Sequence, residues 1–168
     1  QELPLVRWSD SGEEVPNTIV RWWILQAVAL KNAVASPLLR LWLNQCNPQE
    51  AAALAKWLYT KWIEGAPGYK KTILPDKGIL AIPGCLCSND ILTMTQAYLK
   101  EFYGWRIGEC RALLEMASGS ERPEALHFLK KVSQGFRTKS IQAHAQKLIE
   151  QAAELRDWTP SEFADRVI

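Results

Sequence analysis

The residues with the most chemical reach are two cysteines separated by one position, Cys85-Leu86-Cys87, and the two histidines, His127 and His144. Thiols and imidazoles together suggest zinc. However, ligand pairs for a tetrahedral centre are spaced as Cys-x2-Cys so that both thiolates reach one ion, and here the spacer is a single leucine. His127 shares a helical face with Lys130, Lys131 and Gln134, a solvated ridge, and His144 falls beside an apolar stripe rather than on it. No metal site is expected. Gly65 to Thr72, with two glycines and Lys70-Lys71, has a faint look of a phosphate loop. That motif needs glycine directly before the lysine and a strand before the loop, and this stretch has neither. No Gly-x-Ser-x-Gly is present, and neither histidine has a serine or cysteine partner in context. Glu109, Glu115, Glu150 and Glu154 fall on polar helical faces, where solvation or ion pairing accounts for them. The sequence therefore predicts no catalytic residue and no cofactor.

One cluster remains for binding. Lys130, Lys131, Arg137 and Lys139 span the end of one predicted helix and the start of the next, so their charges can converge on one edge. Cations at a helix C-terminus also offset its dipole, which is the plain explanation for Lys130 and Lys131. Net charge is +2, too small for the whole chain to attract polyanions. Eight tryptophans in 168 residues point to a dense core. Trp22, Trp23, Trp57 and Trp62 are expected inside it, and Trp8 is expected to pack a chain end or a further part of the protein.

These residues need helices to hold them. Residues 1–16 contain Ser9 to Glu14, a polar run without an apolar face, and read as an irregular segment. Asn17 is placed to cap a helix over 18–31 whose apolar residues cover nearly every face, which predicts a buried helix. Ser36-Pro37 and Asn47-Pro48 each pair a cap with proline in the first turn and open helices over 37–45 and 48–64. Asp76 can cap a short helix over 76–82 that Pro83-Gly84 must end or kink. Further helices are expected over 88–102, 105–117, 123–134 and 138–155. Thr159-Pro160-Ser161-Glu162 is a capping box that starts another. No strand pattern competes with these, and short connections predict antiparallel hairpins.

Shifting the chain by 35 residues lays Ile91, Met94 and Ala97 on Leu126, Leu129 and Val132. The same shift lays Cys110, Leu113, Leu114 and Ala117 on Ala145, Leu148, Ile149 and Ala152. A two-helix repeat of this length is the mark of an α-solenoid, in which each hairpin buries its apolar face on the next. Arg106 followed by Cys110, Leu113 and Leu114 resembles the second helix of a HEAT unit. The usual aspartate before that arginine is missing, and Ile141 stands at the arginine position of the second copy.

Tyr103-Gly104-Trp105-Arg106, Phe136-Arg137-Thr138-Lys139, and Trp158-Thr159-Pro160 with Phe163-Ala164-Asp165-Arg166 are similar to one region of a bacterial family. This is the molybdate metabolism regulator-like family, some of whose members carry a WGR domain and which has a C-terminal domain of unknown function. Here Asp157 replaces the family's glycine and Phe163 a leucine. The resemblance is specific from about Tyr103 onward, and it implies a scaffold segment of a larger protein.

The expected fold is all-α, a right-handed α-solenoid of stacked antiparallel hairpins of HEAT-like type, with an irregular segment over 1–16 and the repeat domain over 17–168. The expected function is a non-catalytic scaffold for protein–protein or interdomain contact. Nucleic acid or another polyanion at the Lys130–Lys139 edge is the alternative. No signal peptide and no apolar run long enough for a bilayer is visible, so reduced thiols, a cytoplasmic location and no membrane partner are expected. A solenoid cut internally should leave Phe163 and Val167 partly exposed.

Overall fold

The computed structural model describes residues 2–65 and 76–167. Among them the only extended pairings are isolated bridges from Arg7 to Glu14 and from Trp8 to Cys46, and every other element is helical. In order these are α1 (Asn17–Leu30), α2 (Pro37–Asn44), α3 (Pro48–Gly65), a 3-10 turn (Lys77–Leu80), α4 (Ala81–Leu86), α5 (Asn89–Phe102), α6 (Ile107–Ser118), α7 (Pro123–Gly135), α8 (Lys139–Glu154) and α9 (Pro160–Arg166). The expected all-α class is what the described residues form. No described helix is long and apolar enough to cross a membrane.

Local chemistry starts most of the helices as expected. Ser36 accepts from the Leu39 amide at 3.2 Å, Asn47 from the Glu50 amide at 3.2 Å, and Ser88 from the Ile91 amide at 3.4 Å. Each side chain satisfies one of the amides that a helix start leaves without a partner. Thr159 and Glu162 form the full capping box. Asn17 differs: α1 begins on it, and the Pro16 carbonyl takes the Ile19 amide in place of a side-chain cap. Pro83-Gly84 also differs, because helical structure runs through both. The chain changes there from a 3-10 turn to α4, and Pro83 falls in the first turn of α4, where its missing amide costs least. The Gly65–Thr72 loop lies outside the described residues from Ala66 onward.

Two apolar cores meet at α3. Its Ala51, Leu54 and Leu58 join Val20, Trp23 and Ala27 of α1, Leu39 and Leu43 of α2, and Ile82 of α4. Val6 and Val15 bury into this core too, so the polar N-terminal segment is anchored rather than solvated throughout. Trp8 packs edge-on against Trp23 at 5.9 Å, which fits the chain-end role expected of it. The other side of α3 gives Ala55, Tyr59 and Trp62 to the second core, built from α5 to α9. There α5 packs on α6 and α7 on α8, and the two hairpins meet through α6 against α8 and α5 against α7.

Burial tests the 35-residue shift position by position. Cys110, Leu113, Leu114 and Ala117 of α6 and their counterparts on α8 are all buried. In the first helices the shift keeps Ile91 on Leu126, both buried, but fails by one residue further along. Met94 is half-buried and Ala97 exposed, whereas Leu129 and Val132 are buried. A shift of 34 pairs Ile91, Thr95 and Tyr98 with Ala125, Leu129 and Val132, all of them buried. The second hairpin thus holds one more residue between its two core stripes, which a single fixed shift cannot register.

Three other expectations are corrected. α1 is buried on one face alone, with Val20, Trp23 and Ala27 inside and Trp22 outside, because the 3-10 turn and α4 pack on that one side. Trp57 is half-buried rather than in the core. Phe163 and Val167 are buried within the chain. A tight turn at Asp157, with φ of 52°, brings α9 back, and the Val167 carbonyl reaches His127 Nδ1 at 2.9 Å. Aspartate tolerates this left-handed conformation, which glycine favours, and it occurs at the position where the resembled family carries glycine.

Candidate functional site

Between α5 and α7 runs a groove of about 430 Å³. Each wall comes from one helix. α5 supplies Asn89, Leu92, Thr93, Gln96, Leu99 and Lys100; α7 supplies Glu124, His127, Phe128, Lys131, Val132 and Gly135, with Phe136 just beyond. These are positions three and four apart, so each helix offers one continuous flank. The core stripes sit on adjacent flanks, which is why Leu99 and Val132 belong to both the core and the groove floor.

The groove is apolar along its length and unevenly charged at its ends. Leu92, Phe128, Val132 and Phe136 form its walls, and the Gln96 amide lies among them. At one end Glu124 pairs with Arg122 at 3.4 Å, and Arg122 also donates to Asn89 Oδ1 at 3.2 Å. Arg122 and the amide of Glu124 itself hold this exposed carboxylate below its usual range, the amide having the larger effect. Lys100 and Lys131 also line the groove, and among the described residues neither pairs with a carboxylate. The free charge of the groove is therefore positive.

The expected basic edge divides here. Lys131 lines the groove, whereas Lys130, Arg137 and Lys139 are not among its walls. Lys131, Arg137 and Lys139 are exposed and Lys130 is half-buried. The helix-dipole explanation for Lys130 and Lys131 does not hold, because α7 continues to Gly135 and its last turn contains no basic residue. Lys100 was missed in the sequence. Its signal, a lysine near the end of α5, becomes meaningful only once α5 and α7 are known to be neighbours.

The thiols, the histidines and the carboxylates of α6 are buried or half-buried. Cys46, Cys85, Cys87 and Cys110 are all free, and burial pushes the thiols of the last three up to about 12. Among the described residues no three His, Cys, Asp or Glu side chains stand together as a metal site would require. His127 is tied to the Val167 carbonyl. Glu109 and Glu115 are not on solvated faces as expected: Glu109 is buried, and Glu115 is half-buried between Lys77 of the 3-10 turn (2.6 Å) and His144 of α8 (3.7 Å). His144 and Lys77 hold the Glu115 carboxyl below its usual range, against the burial that opposes them. Arg106, the residue of the HEAT-like motif, stacks on Phe102 (4.4 Å) and Trp105 (4.6 Å) and donates to the Tyr98 hydroxyl. No protein-family model matches the chain, and no curated protein or solved structure matches it.

Proposed function

We propose that this chain is a non-catalytic helical-repeat scaffold of HEAT-like type that binds a protein partner along the α5–α7 groove. The observation that carries this reading is the groove itself. It has apolar walls from two consecutive hairpins and carries two lysines that pair with no described carboxylate. A cleft of that volume suits a short peptide segment, in which apolar side chains meet Phe128 and Phe136 and a carboxylate meets Lys100 or Lys131. The stacked hairpins and the in-register burial of α6 and α8 support a solenoid. The C-terminal motifs, with the left-handed turn at Asp157 where that family carries glycine, support a molybdate metabolism regulator-like reading, and with it a bacterial, cytoplasmic protein.

A second reading is binding of a polyanion at Lys130, Lys131, Arg137 and Lys139. It is favoured by one observation: none of these four pairs with a described carboxylate. One experiment separates the two. Random peptides selected by display on the wild-type protein are measured against Phe128→Asp and Lys131→Glu variants, beside single-stranded DNA titrated over a range of salt. Acidic, apolar peptides that lose at least about tenfold in affinity to both variants are expected, with weak DNA binding. Peptides indifferent to both substitutions, or tight DNA binding with a steep salt slope, overturn the groove reading.

A further inference from the structure

The outer faces of α1 and α2 carry large apolar side chains that no described part of the fold covers. Leu25 is 62 % exposed, Leu41 54 %, Leu38 51 % and Trp22 47 %, with Ile19 and Leu30 beside them. They are not scattered. Trp22 and Leu25 are three apart on α1, Leu38 and Leu41 three apart on α2, and the rings of Trp22 and Trp42 meet at 4.9 Å between the two helices. We propose that this face is a second docking site, distinct from the groove, and that its occupant is an amphipathic helix with acidic flanks from a protein partner.

Shape, size and charge each argue for that occupant. Residues three apart form ridges, and two ridges with indoles between them make a seat for the knobs of a third helix. The six exposed side chains leave on the order of 500 Å² open, at the upper end of what a monomer tolerates and somewhat below one side of a standard interface. One docked helix covers such an area; a globular partner needs more. Between Glu14 and Glu50 there is no carboxylate, whereas Arg21, Lys31 and Arg40 are present. Arg40 turns toward Glu121 of the α6–α7 connection, and Arg21 and Lys31 remain exposed without a described partner. An apolar face whose own two helices carry cations and no carboxylate selects a partner rimmed by anions. A second copy of this chain fits poorly, since a two-fold contact would set Arg21 and Lys31 against themselves.

The test uses two synthetic helical peptides with the same leucine stripe, one flanked by glutamate and one by lysine, titrated calorimetrically into the whole protein. The glutamate peptide is expected to bind at least about tenfold tighter than the lysine peptide at low salt. Leu25→Glu with Leu38→Glu should remove its binding while leaving the melting temperature nearly unchanged, since both sites are exposed. Arg21→Glu with Lys31→Glu should invert the preference, a readout that does not depend on the leucine variant. Equal binding of both peptides, or binding of neither, overturns the proposal. So does tight binding to phosphatidylserine vesicles, or concentration-dependent dimerisation in sedimentation, that the leucine substitutions abolish.

Discussion

Gly78 is the position at which one added carbon should do most damage. It sits in the 3-10 turn that lies against α1, and a Cβ built there would stand 2.3 Å from the Ala27 carbonyl oxygen. The Ala27 carbonyl carbon and Val28 Cα would each be 3.0 Å away. All three atoms are α1 backbone, so no side chain can rotate aside. Relief requires α1 and the turn to separate by roughly an ångström, and close-packed interiors resist such movement. α1 carries Val20, Trp23 and Ala27 into the N-terminal core, so separation loosens that core too. Overpacking of this kind costs about 1–3 kcal/mol, and the better helix propensity of alanine returns less than about 1 kcal/mol. Gly78→Ala should therefore lower the melting temperature by about 2–8 °C for a chain of this size. Gly104 is the control, because a Cβ there meets nothing within 4 Å. Thermal unfolding followed by circular dichroism compares the two. A Gly78→Ala variant as stable as the wild type, with Gly104→Ala also neutral, would refute the close approach of the turn to α1.

Two further outcomes follow from the buried chemistry. Glu115 ionises below its ordinary value of 4.5, so its contribution is present above that pH and is lost as the pH falls through the lowered value. Glu115→Gln should cost about 1 kcal/mol near pH 7 and converge on the wild type in acid unfolding series below pH 4.5; a constant difference at all pH values would contradict the assignment. The thiols of Cys85, Cys87 and Cys110 sit near 12 and that of Cys46 near 11 because burial disfavours the thiolate. At pH 8 fewer than about one thiol in a hundred is reactive, so an aromatic disulfide reagent should label the native protein slowly and label all four after denaturation. Fast labelling of any of them in the native state would show the burial to be wrong.

What the sequence made legible was local. Ser36, Asn47, Ser88 and Thr159 have side chains that compete for the first helical amides, and each marks a helix start in the structure. The stripe of α8 was equally plain, because Ile141, Ala145, Leu148 and Ile149 leave no other face to bury. What failed depended on neighbours. α1 is apolar nearly all round, so its composition does not say which face meets α3 and which meets solvent. Glu115 looks like a surface carboxylate until the 3-10 turn and α8 bring Lys77 and His144 beside it. The groove was half-legible. Lys131 stood out within a basic run, but Lys100 and the aromatic wall gain meaning only from the adjacency of α5 and α7.

The distribution of occupied and unoccupied groups explains why binding is the reading to test first. Several groups able to do chemistry hold the fold: the cysteines are buried or nearly so, His127 holds α9, and Glu115 holds the 3-10 turn near α8. Three arginines are committed as well. Arg40 donates to the Gly119 carbonyl, Arg156 to the Ser120 carbonyl at 2.9 Å and Arg122 to the Cys87 carbonyl at 3.3 Å, so three distant segments are tied to the ends of α4 and α6. Left facing solvent are lysines, Arg21, Arg137 and two apolar surfaces, one a groove and one a pair of ridges. Apolar area with movable charge at its margin gives affinity through burial and selects partners through long-range attraction, and neither requires a strained or desolvated reactive group. The two surfaces lie on different cores, which share α3, the 3-10 turn and α4 as their common wall, so partners could occupy both at once.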